Sequence, residues 1–271
     1  MERETPRADS AAGTSRVVVG VDTSAGSAAA LRWALREAEL RSVPLTVLTA
    51  WAPTGPPHLV HHARVIARDE LAVAEALERL IVRVVGDPTV PIDAVVARDE
   101  PTIALVKNSS PQDLVVVGAR GYNQPNVRLS PICVDLVERS PSNVVIVRPE
   151  PTPAQPSPEP EPGARPVTVC LDRDERSASA ALRWATDAAA ARRVPLRVLS
   201  LDHGRRPALD EESRAAQLLV LGHQHQHSPF PRVSGGGPDY RHRIRDAHCT
   251  VALIRSADPP AVEAAPGWSA S

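Results

Sequence analysis

Residues 31–34 read Leu-Arg-Trp-Ala, and the same four residues return at 182–185. A second short match follows each copy, because the Val-Pro-Leu of residues 43–45 returns at 194–196. The distance along the sequence between the two copies, from residue 31 to residue 182, is far longer than the roughly 20–50 residues of a solenoid repeat. The sequence therefore predicts two related domains within one chain.

The first half of the chain alternates between two kinds of apolar pattern. Short β-branched runs, typical of buried parallel strands, occur at residues 16–21, 45–50, 91–96, 114–117 and 144–147. Helical periodicity and helix-start signals predict helices that open at Ser27, span 67–85, open at Pro101, and run from Ser130 to about Arg139. Strands that alternate with helices predict an α/β fold with a parallel sheet covered on both faces.

The second half repeats this pattern with a deletion. It keeps predicted strands at 167–171, 196–201 and 218–221 and a predicted helix at 177–192. Only residues 202–216 separate the last two of those strands, which leaves room for one helix. In the first half the corresponding segment holds a long helix, a strand and a short helix. We therefore predict a reduced second domain with about four strands.

These patterns divide the chain into five predicted segments. The stretch from Pro149 to Pro166 contains eight prolines, the two end residues included. Because proline has no backbone N–H to donate, this stretch does not suit a helix or a sheet and is predicted to be a linker. The polar residues at the beginning and the residues after the last strand are predicted to be disordered. The segments are a leader (1–15), a first domain (16–149), a linker (150–165), a reduced second domain (166–256) and a tail (257–271).

Composition argues against several classes of function. A net charge of −1 and an aromatic content of 3% do not suit nucleic-acid binding. No apolar run approaches the ~20 residues of a membrane span, so no membrane partner is expected. Lys107 is the single lysine, which rules out a phosphate loop ending in Gly-Lys-Ser/Thr. Three scattered cysteines indicate a reducing compartment, and a cytoplasmic location is expected.

Several stretches together resemble the universal stress protein family. They are the strand end at 17–22, the helix at 31–34, the segment from Asp113 to Gly121, and the closing segment at 139–148. The resemblance implies two doubly wound parallel-sheet domains, with strand order 3-2-1-4-5 in the first and a truncated version in the second. Strand 3 lies at the sheet edge, so its loss leaves the centre intact. The family also implies a homodimer or an intramolecular pseudo-dimer, with an unknown protein partner.

One branch of that family binds ATP through a signature of Gly, two residues, Gly, nine residues, Gly and then Ser or Thr. Gly118 and Gly121 match the first two glycines. Nine residues later, Pro131 stands in place of the third glycine and Ile132 in place of Ser or Thr. If one deletion is allowed, Ser130 and Pro131 replace that pair. Either alignment brings a proline, which has no N–H, into the phosphate turn.

The predicted strand order indicates where a ligand would bind. Strands 1 and 4 are neighbours whose connections leave in opposite directions, and ligands bind beyond the carboxyl ends at such a point. Glycine backbone can approach phosphate closely, and the N-terminus of the helix at Ser130 offers N–H donors. By resemblance, Asp22 would lie near the adenosine. The candidate cofactor-binding residues are Val21, Asp22, Gly118, Arg120, Gly121 and Ser130.

Two interpretations of these residues remain open. In the first, the domain holds ATP or another adenine nucleotide, with Mg²⁺ present only if ATP is bound. In the second, Gly118 and Gly121 only shape a loop, Asp22 caps a turn before Ser24, and the protein is a dimerisation scaffold. No catalytic Ser/His/Asp or paired-carboxylate arrangement can be defended from spacing, so no enzymatic activity is predicted, and a slow ATPase is the least favoured alternative.

The second domain is a weaker candidate for a ligand site. Gly222 matches Gly118, but His225 stands where the second glycine belongs. His223, His225 and His227 alternate with glutamine, and such spacing could place three imidazoles on one side of an extended segment. No cysteine or carboxylate at ligand spacing supports them. We therefore predict a solvated patch and no metal site.

Overall fold

A computed structural model describes residues 14–22, 24–51, 70–121, 128–149, 165–171, 175–200, 206–223 and 244–256. The predicted leader, linker and tail fall outside these ranges, apart from residues 14, 15 and 165. Those three segments therefore remain predictions.

The described residues form strands and helices in alternation, as the apolar pattern predicted. The strands are β1 (Val17–Gly20), β2 (Leu45–Ala50), β3 (Ile92–Ala97), β4 (Leu114–Gly118), β5 (Asn143–Val147), β6 (Val167–Leu171), β7 (Leu196–Ser200), β8 (Leu218–His223) and β9 (Thr250–Arg255). The helices are α1 (Ala25–Arg41), α2 (Glu70–Val84), α3 (Pro101–Lys107), α4 (Pro131–Arg139), α5 (Glu175–Arg192) and α6 (Arg206–Ala215).

All nine strands belong to one sheet with the order β3-β2-β1-β4-β5-β9-β8-β6-β7. The first five are parallel and have the predicted order 3-2-1-4-5. The last four follow the same plan, with no counterpart of β3 among the described residues, as the predicted truncated second version requires. The two halves meet where β5 pairs antiparallel with β9, and Val145 lies opposite Ala252 there. We call this line of pairing the seam.

Apolar side chains cover both faces of the sheet and continue across the seam. On one face, α1, α2 and α5 pack over strand residues such as Val19, Val145 and Val220. On the other face, α3 and α4 pack with residues 244–249 over the alternate strand positions. Because aromatics are scarce, the core consists almost entirely of Val, Leu, Ile and Ala.

The start of α1 differs from its prediction. The helix begins at Ala25 rather than at Ser27, because the Ser24 side chain caps it by accepting a hydrogen bond from the Ser27 N–H at 3.1 Å. The predicted start of α4 is confirmed, with Ser130 at the N-cap and Pro131 in the first turn. Both starts lie at the carboxyl ends of central strands.

The deletion in the second half leaves one strand partly uncovered. Val47 of β2 is fully buried, and its strand lies between β1 and β3. Val198 holds the corresponding position of β7, which is an edge strand, and it is 50% exposed. The lost helix and strand therefore account for the apolar side chain at the edge of the sheet.

A buried carboxylate fixes the entry to β4. The Asp113 carboxylate accepts hydrogen bonds from the Arg16 guanidinium (2.7 Å), the Ser15 hydroxyl (2.9 Å) and the Ser110 N–H (2.9 Å). Burial alone would raise the pKa of this carboxyl, but the hydrogen bonds outweigh burial and hold the pKa below its ordinary value. The carboxylate therefore stabilises the folded state at neutral pH.

We expect Asp113→Asn to lower the free energy of unfolding by about 1–2 kcal/mol at pH 7. The folded-state pKa is depressed, so the stabilisation is complete above the unfolded-state pKa and is lost as the pH falls through the folded-state value. Urea unfolding from pH 7 to pH 3 should show a constant difference down to about pH 5 and a shrinking one below about pH 4. A difference that stays constant down to pH 3 would contradict this account.

Candidate functional site

A cleft opens at the carboxyl ends of β1, β2 and β4. All six candidate residues predicted from the sequence line it: Val21, Asp22, Gly118, Arg120, Gly121 and Ser130. Its apolar wall includes Leu48, Leu105 and Ile132. The structure thus brings together residues more than 100 positions apart in the chain, because parallel strands end at the same edge of the sheet.

The Asp22 side chain is held by the start of α1. Its Oδ1 accepts hydrogen bonds from the Ser24 N–H (2.8 Å) and from the Ser27 hydroxyl. The Asp22 N–H donates in turn to the Ser27 hydroxyl oxygen at 2.7 Å. The carboxylate therefore closes a turn before Ser24, as the scaffold interpretation predicted, and at the same time lies at the wall of the cleft.

Close backbone contacts bring α1 against the loop after β4. A Cβ added to Gly118 would lie 3.0 Å from the backbone of Gly26, and one added to Gly26 would lie 2.5 Å from the Arg120 carbonyl oxygen. Gly26 requires glycine because the neighbouring atom belongs to the backbone and cannot rotate away, whereas a Cβ on Gly118 would make a tight contact with backbone. The start of α1 and the loop after β4 therefore pack main chain against main chain beside the cleft.

The Ser130 hydroxyl is buried without a hydrogen-bond partner. Ser130 is 2% exposed, and its Oγ makes no hydrogen bond although it stands at the N-cap of α4. Its N–H donates to the Ala119 carbonyl oxygen at 2.8 Å, which fixes the residue against the loop after β4. A buried hydroxyl without a partner costs stability, and this one belongs to a residue that lines the cleft.

The cleft is small. Its volume is about 80 Å³, whereas pockets for drug-sized ligands measure roughly 300–1,000 Å³. The apolar side chains of Leu48, Leu105 and Ile132 form part of its lining. The enclosed part has room for a phosphoryl group and a few waters, and a larger ligand would extend from its mouth.

Some residues of the site were missed in the sequence. Ser27 holds Asp22, Gly26 permits the close approach of Arg120, and Cys133 lies against the Gly118 carbonyl oxygen at 3.4 Å. Burial raises the pKa of the Cys133 thiol to about 12, so it stays protonated and unreactive at neutral pH. A signal for Gly26 was present, because a helix that starts with small residues allows close packing.

In the second half, other residues make the corresponding contact between the first helix and the end of the central strand. Ser177 stands in α5 where Gly26 stands in α1, and a Cβ on Gly222 would lie 2.7–2.9 Å from atoms of Ser177. His223 ends β8, whereas His225 and His227 lie outside the described residues. Across the described ranges, no group of His, Cys, Asp or Glu could hold a metal ion, and no helix could span a membrane.

Comparison with known proteins identifies relatives of the first half. The sequence model that describes the universal stress protein family matches residues 13–148 of this chain. Universal stress protein Rv2623 of Mycobacterium tuberculosis is 33% identical over 147 residues, which cover 49% of this chain and 48% of that protein. The chain therefore spans about half the length of the curated relatives it matches.

Two solved structures share the architecture over most of the chain. A universal stress protein from Archaeoglobus fulgidus covers 90% of this chain and 99% of its own, with a TM-score of 0.58 at 13% identity. PA1789 from Pseudomonas aeruginosa, described as functionally unknown, covers 90% and 94%, with a TM-score of 0.59 at 10% identity. At these identities the likeness establishes the fold alone.

Proposed function

The chain belongs to the universal stress protein family, and from that premise we propose that its first half binds an adenine nucleotide and acts as a regulatory module, not as an enzyme. The observation that carries the proposal is the Ser130 hydroxyl, which is buried in the cleft without a partner. A phosphate oxygen is an acceptor that this hydroxyl could satisfy.

The surroundings of Ser130 suit a phosphoryl group. The N-terminus of α4 directs its positive dipole end towards the cleft, and negative groups are favoured there. The absence of a side chain at Gly118 leaves backbone at the wall, and the exposed Arg120 side chain adds a positive charge beside it. Pro131 removes one N–H donor from this turn, so the hydroxyl and the arginine carry more of the binding.

The nucleoside would lie at the mouth of the cleft, because the enclosed volume holds little more than a phosphoryl group. Asp22 and Ala50 are among the residues that line the cleft. The Asp22 carboxylate is already oriented by Ser24 and Ser27, and a carboxylate oxygen held in this way can accept a hydrogen bond from a ribose hydroxyl. Mg²⁺ would accompany the ligand only as the counter-ion of ATP.

The absence of suitable catalytic groups supports a binding role. Among the residues that line the cleft, the titratable side chains are Asp22, Arg120 and Cys133. The Asp22 carboxylate already accepts hydrogen bonds from Ser24 and Ser27, an arginine cannot act as a base at neutral pH, and burial raises the pKa of the Cys133 thiol to about 12. None of the three suits the activation of a water molecule.

The scaffold interpretation is the second candidate, and one specific observation favours it. The Asp22 carboxylate has a structural task, which is to close the turn before Ser24. In this alternative the cleft holds only water, and the molecule acts through its surfaces. Binding experiments separate the two candidates.

We expect Ser130→Ala to weaken binding of Mg-ATP to the full chain about tenfold or more, and to raise the free energy of unfolding without ligand by about 1 kcal/mol. Binding should weaken because the variant loses a phosphate contact, and stability should rise because an unpaired buried hydroxyl is removed. Titration calorimetry measures the binding, and urea unfolding measures the stability.

Thr168→Val is the matched control for this variant. Thr168 is fully buried in β6 of the second half, and its hydroxyl also lacks a partner. This variant should gain similar stability and leave the affinity for Mg-ATP unchanged. Wild-type protein that binds no Mg-ATP at millimolar concentration would reject the nucleotide proposal and favour the scaffold.

A further inference from the structure

Arg148 crosses the seam from the end of β5. Its Nη1 donates to the Arg128 carbonyl oxygen at 3.1 Å in the first half. Its Nη2 donates to the carbonyl oxygens of Ile244 and Arg245 in the second half. Hydrogen bonds from one guanidinium therefore connect the segment before α4 with the segment before β9.

The positive charge of Arg148 has no carboxylate counter-ion among the described residues. Its Nε is buried and makes no hydrogen bond. Burial lowers the pKa of the Arg148 guanidinium, and the nearby charges of Arg120 and Arg128 lower it further. A half-buried charge that is paired only with carbonyl dipoles is costly, and an anion nearby would offset that cost.

Two more arginines at this place also lack acidic partners. Arg120 lines the cleft, and Arg128 lies two residues before Ser130, where its side chain is exposed. No carboxylate pairs with either side chain in the part of the chain that the structure describes. The Ala119 N–H donates to the Val147 carbonyl oxygen at 2.8 Å, which brings the segments carrying Arg120 and Arg148 side by side.

We infer that Arg120, Arg128 and Arg148 form a binding site for a chain of two or more phosphoryl groups, at the point where the cleft meets the seam. The site deepens the proposed function, since a phosphate held at Ser130 would direct further phosphoryl groups towards these arginines. It does not depend on the adenine, because a nucleoside polyphosphate and an inorganic polyphosphate present the same chemistry here. Guanidinium groups match phosphate oxygens with paired N–H donors.

Each arginine has a distinct part in this site. Arg120 and Arg128 are exposed and can contact phosphate oxygens directly. Arg148 is a positioning residue, because its hydrogen bond to the Arg128 carbonyl fixes the segment that carries Arg128. Its two other hydrogen bonds anchor it to Ile244 and Arg245, so the second half completes the site.

Titration of the full chain with inorganic tripolyphosphate tests the inference. We expect wild-type protein to bind it, and Arg120→Gln and Arg128→Gln each to weaken binding about tenfold. Arg79→Gln is the control for the loss of one positive charge, because Arg79 is exposed on α2 and pairs with Glu75 on its own helix. Hydrogen exchange should also slow at residues 244–249 when the ligand binds, as a site completed by the second half requires.

Parallel titrations with AMP and ATP separate this inference from the proposed function. Wild-type protein that binds ATP more tightly than AMP, together with loss of this preference in Arg128→Gln, supports both the phosphate site and the nucleotide proposal. Tripolyphosphate binding that depends on the arginines, without any ATP binding, keeps the phosphate site and rejects the nucleotide proposal. The inference is overturned if tripolyphosphate does not bind, or if Arg79→Gln weakens binding as much as Arg120→Gln and Arg128→Gln do.

Discussion

Replacing Glu37 with alanine is expected to lower the free energy of unfolding by about 3–5 kcal/mol, because it leaves two arginines without their shared counter-ion. Glu37 lies on α1 where it faces α5, and it is 1% exposed. One carboxylate oxygen accepts from Arg41 at 2.6 Å, and the other accepts from Arg192 of α5. This carboxylate therefore joins the two halves of the molecule.

The arginines beside Glu37 make reciprocal contacts across the two helices. The Arg41 guanidinium lies 4.8 Å from the centre of the Trp184 ring, and that of Arg192 lies 5.7 Å from the centre of the Trp33 ring. Each half thus places its arginine on the tryptophan of the other half, where cation–π attraction adds to the ion pairs. Glu37 breaks the symmetry, because Ala188 holds its position in α5.

Urea unfolding followed by tryptophan fluorescence measures the effect, and Glu75→Ala is the control. Glu75 pairs with Arg79 at 3.3 Å on the exposed side of α2, so its loss should cost no more than about 0.5 kcal/mol. A third variant removes the charges together, with Glu37→Leu, Arg41→Met and Arg192→Met. It should recover most of the stability if uncompensated charge is the cause. Equal losses in Glu37→Ala and Glu75→Ala would contradict the prediction.

The repeat and the apolar runs predicted two related α/β domains, each with a parallel sheet, and the short gap at 202–216 indicated the missing strand. The doubly wound strand order came from the resemblance to the universal stress protein family. The antiparallel pairing of β5 with β9 could not be derived from these patterns. Both strands are equally apolar, and the seam depends on how two finished domains meet.

The candidate site was predictable because its residues follow a topological rule. Asp22 and Gly118 end neighbouring parallel strands, so they meet at one cleft whatever the loops do. The unpaired Ser130 hydroxyl and the narrowness of the cleft could not be predicted, since both depend on the packing of α3 and α4. Arg120 was a candidate from the sequence, but Arg128 and Arg148 could not be found there, because Arg148 reaches its partners only across the seam.

The contacts of Glu37 left a partial signal in the sequence. Trp33 and Arg41 of α1 recur as Trp184 and Arg192 of α5, whereas Glu37 does not recur. Residues repeated on one face of two related helices suggest that the helices touch. In the sequence, however, a single acidic residue between Trp33 and Arg41 resembles an ordinary exposed side chain, and its role becomes visible only when the two helices are placed together.

Gly26→Ala is expected to lower the free energy of unfolding by about 2–3 kcal/mol and to abolish binding of Mg-ATP. The new Cβ would lie 2.5 Å from the Arg120 carbonyl oxygen, which is closer than unbonded atoms approach. Alanine gains up to about 1 kcal/mol of helix propensity over glycine, but this gain cannot offset a clash with backbone. Relief requires α1 and the loop after β4 to move apart, and that movement displaces Asp22 from Gly118 and Arg120.

Two further glycine variants show whether the close contact is the cause. Gly86→Ala places its Cβ in open space, so its stability should stay within about 0.5 kcal/mol of wild type. In Gly20→Ala the added Cβ would lie 3.0–3.3 Å from side-chain atoms of Leu105 and Val117. Because these side chains can shift, an intermediate loss of stability is expected. The order of destabilisation should therefore be Gly26, then Gly20, then Gly86. A stable Gly26→Ala protein that binds Mg-ATP normally would mean that neither the fold nor the cleft depends on the close contact between α1 and Arg120.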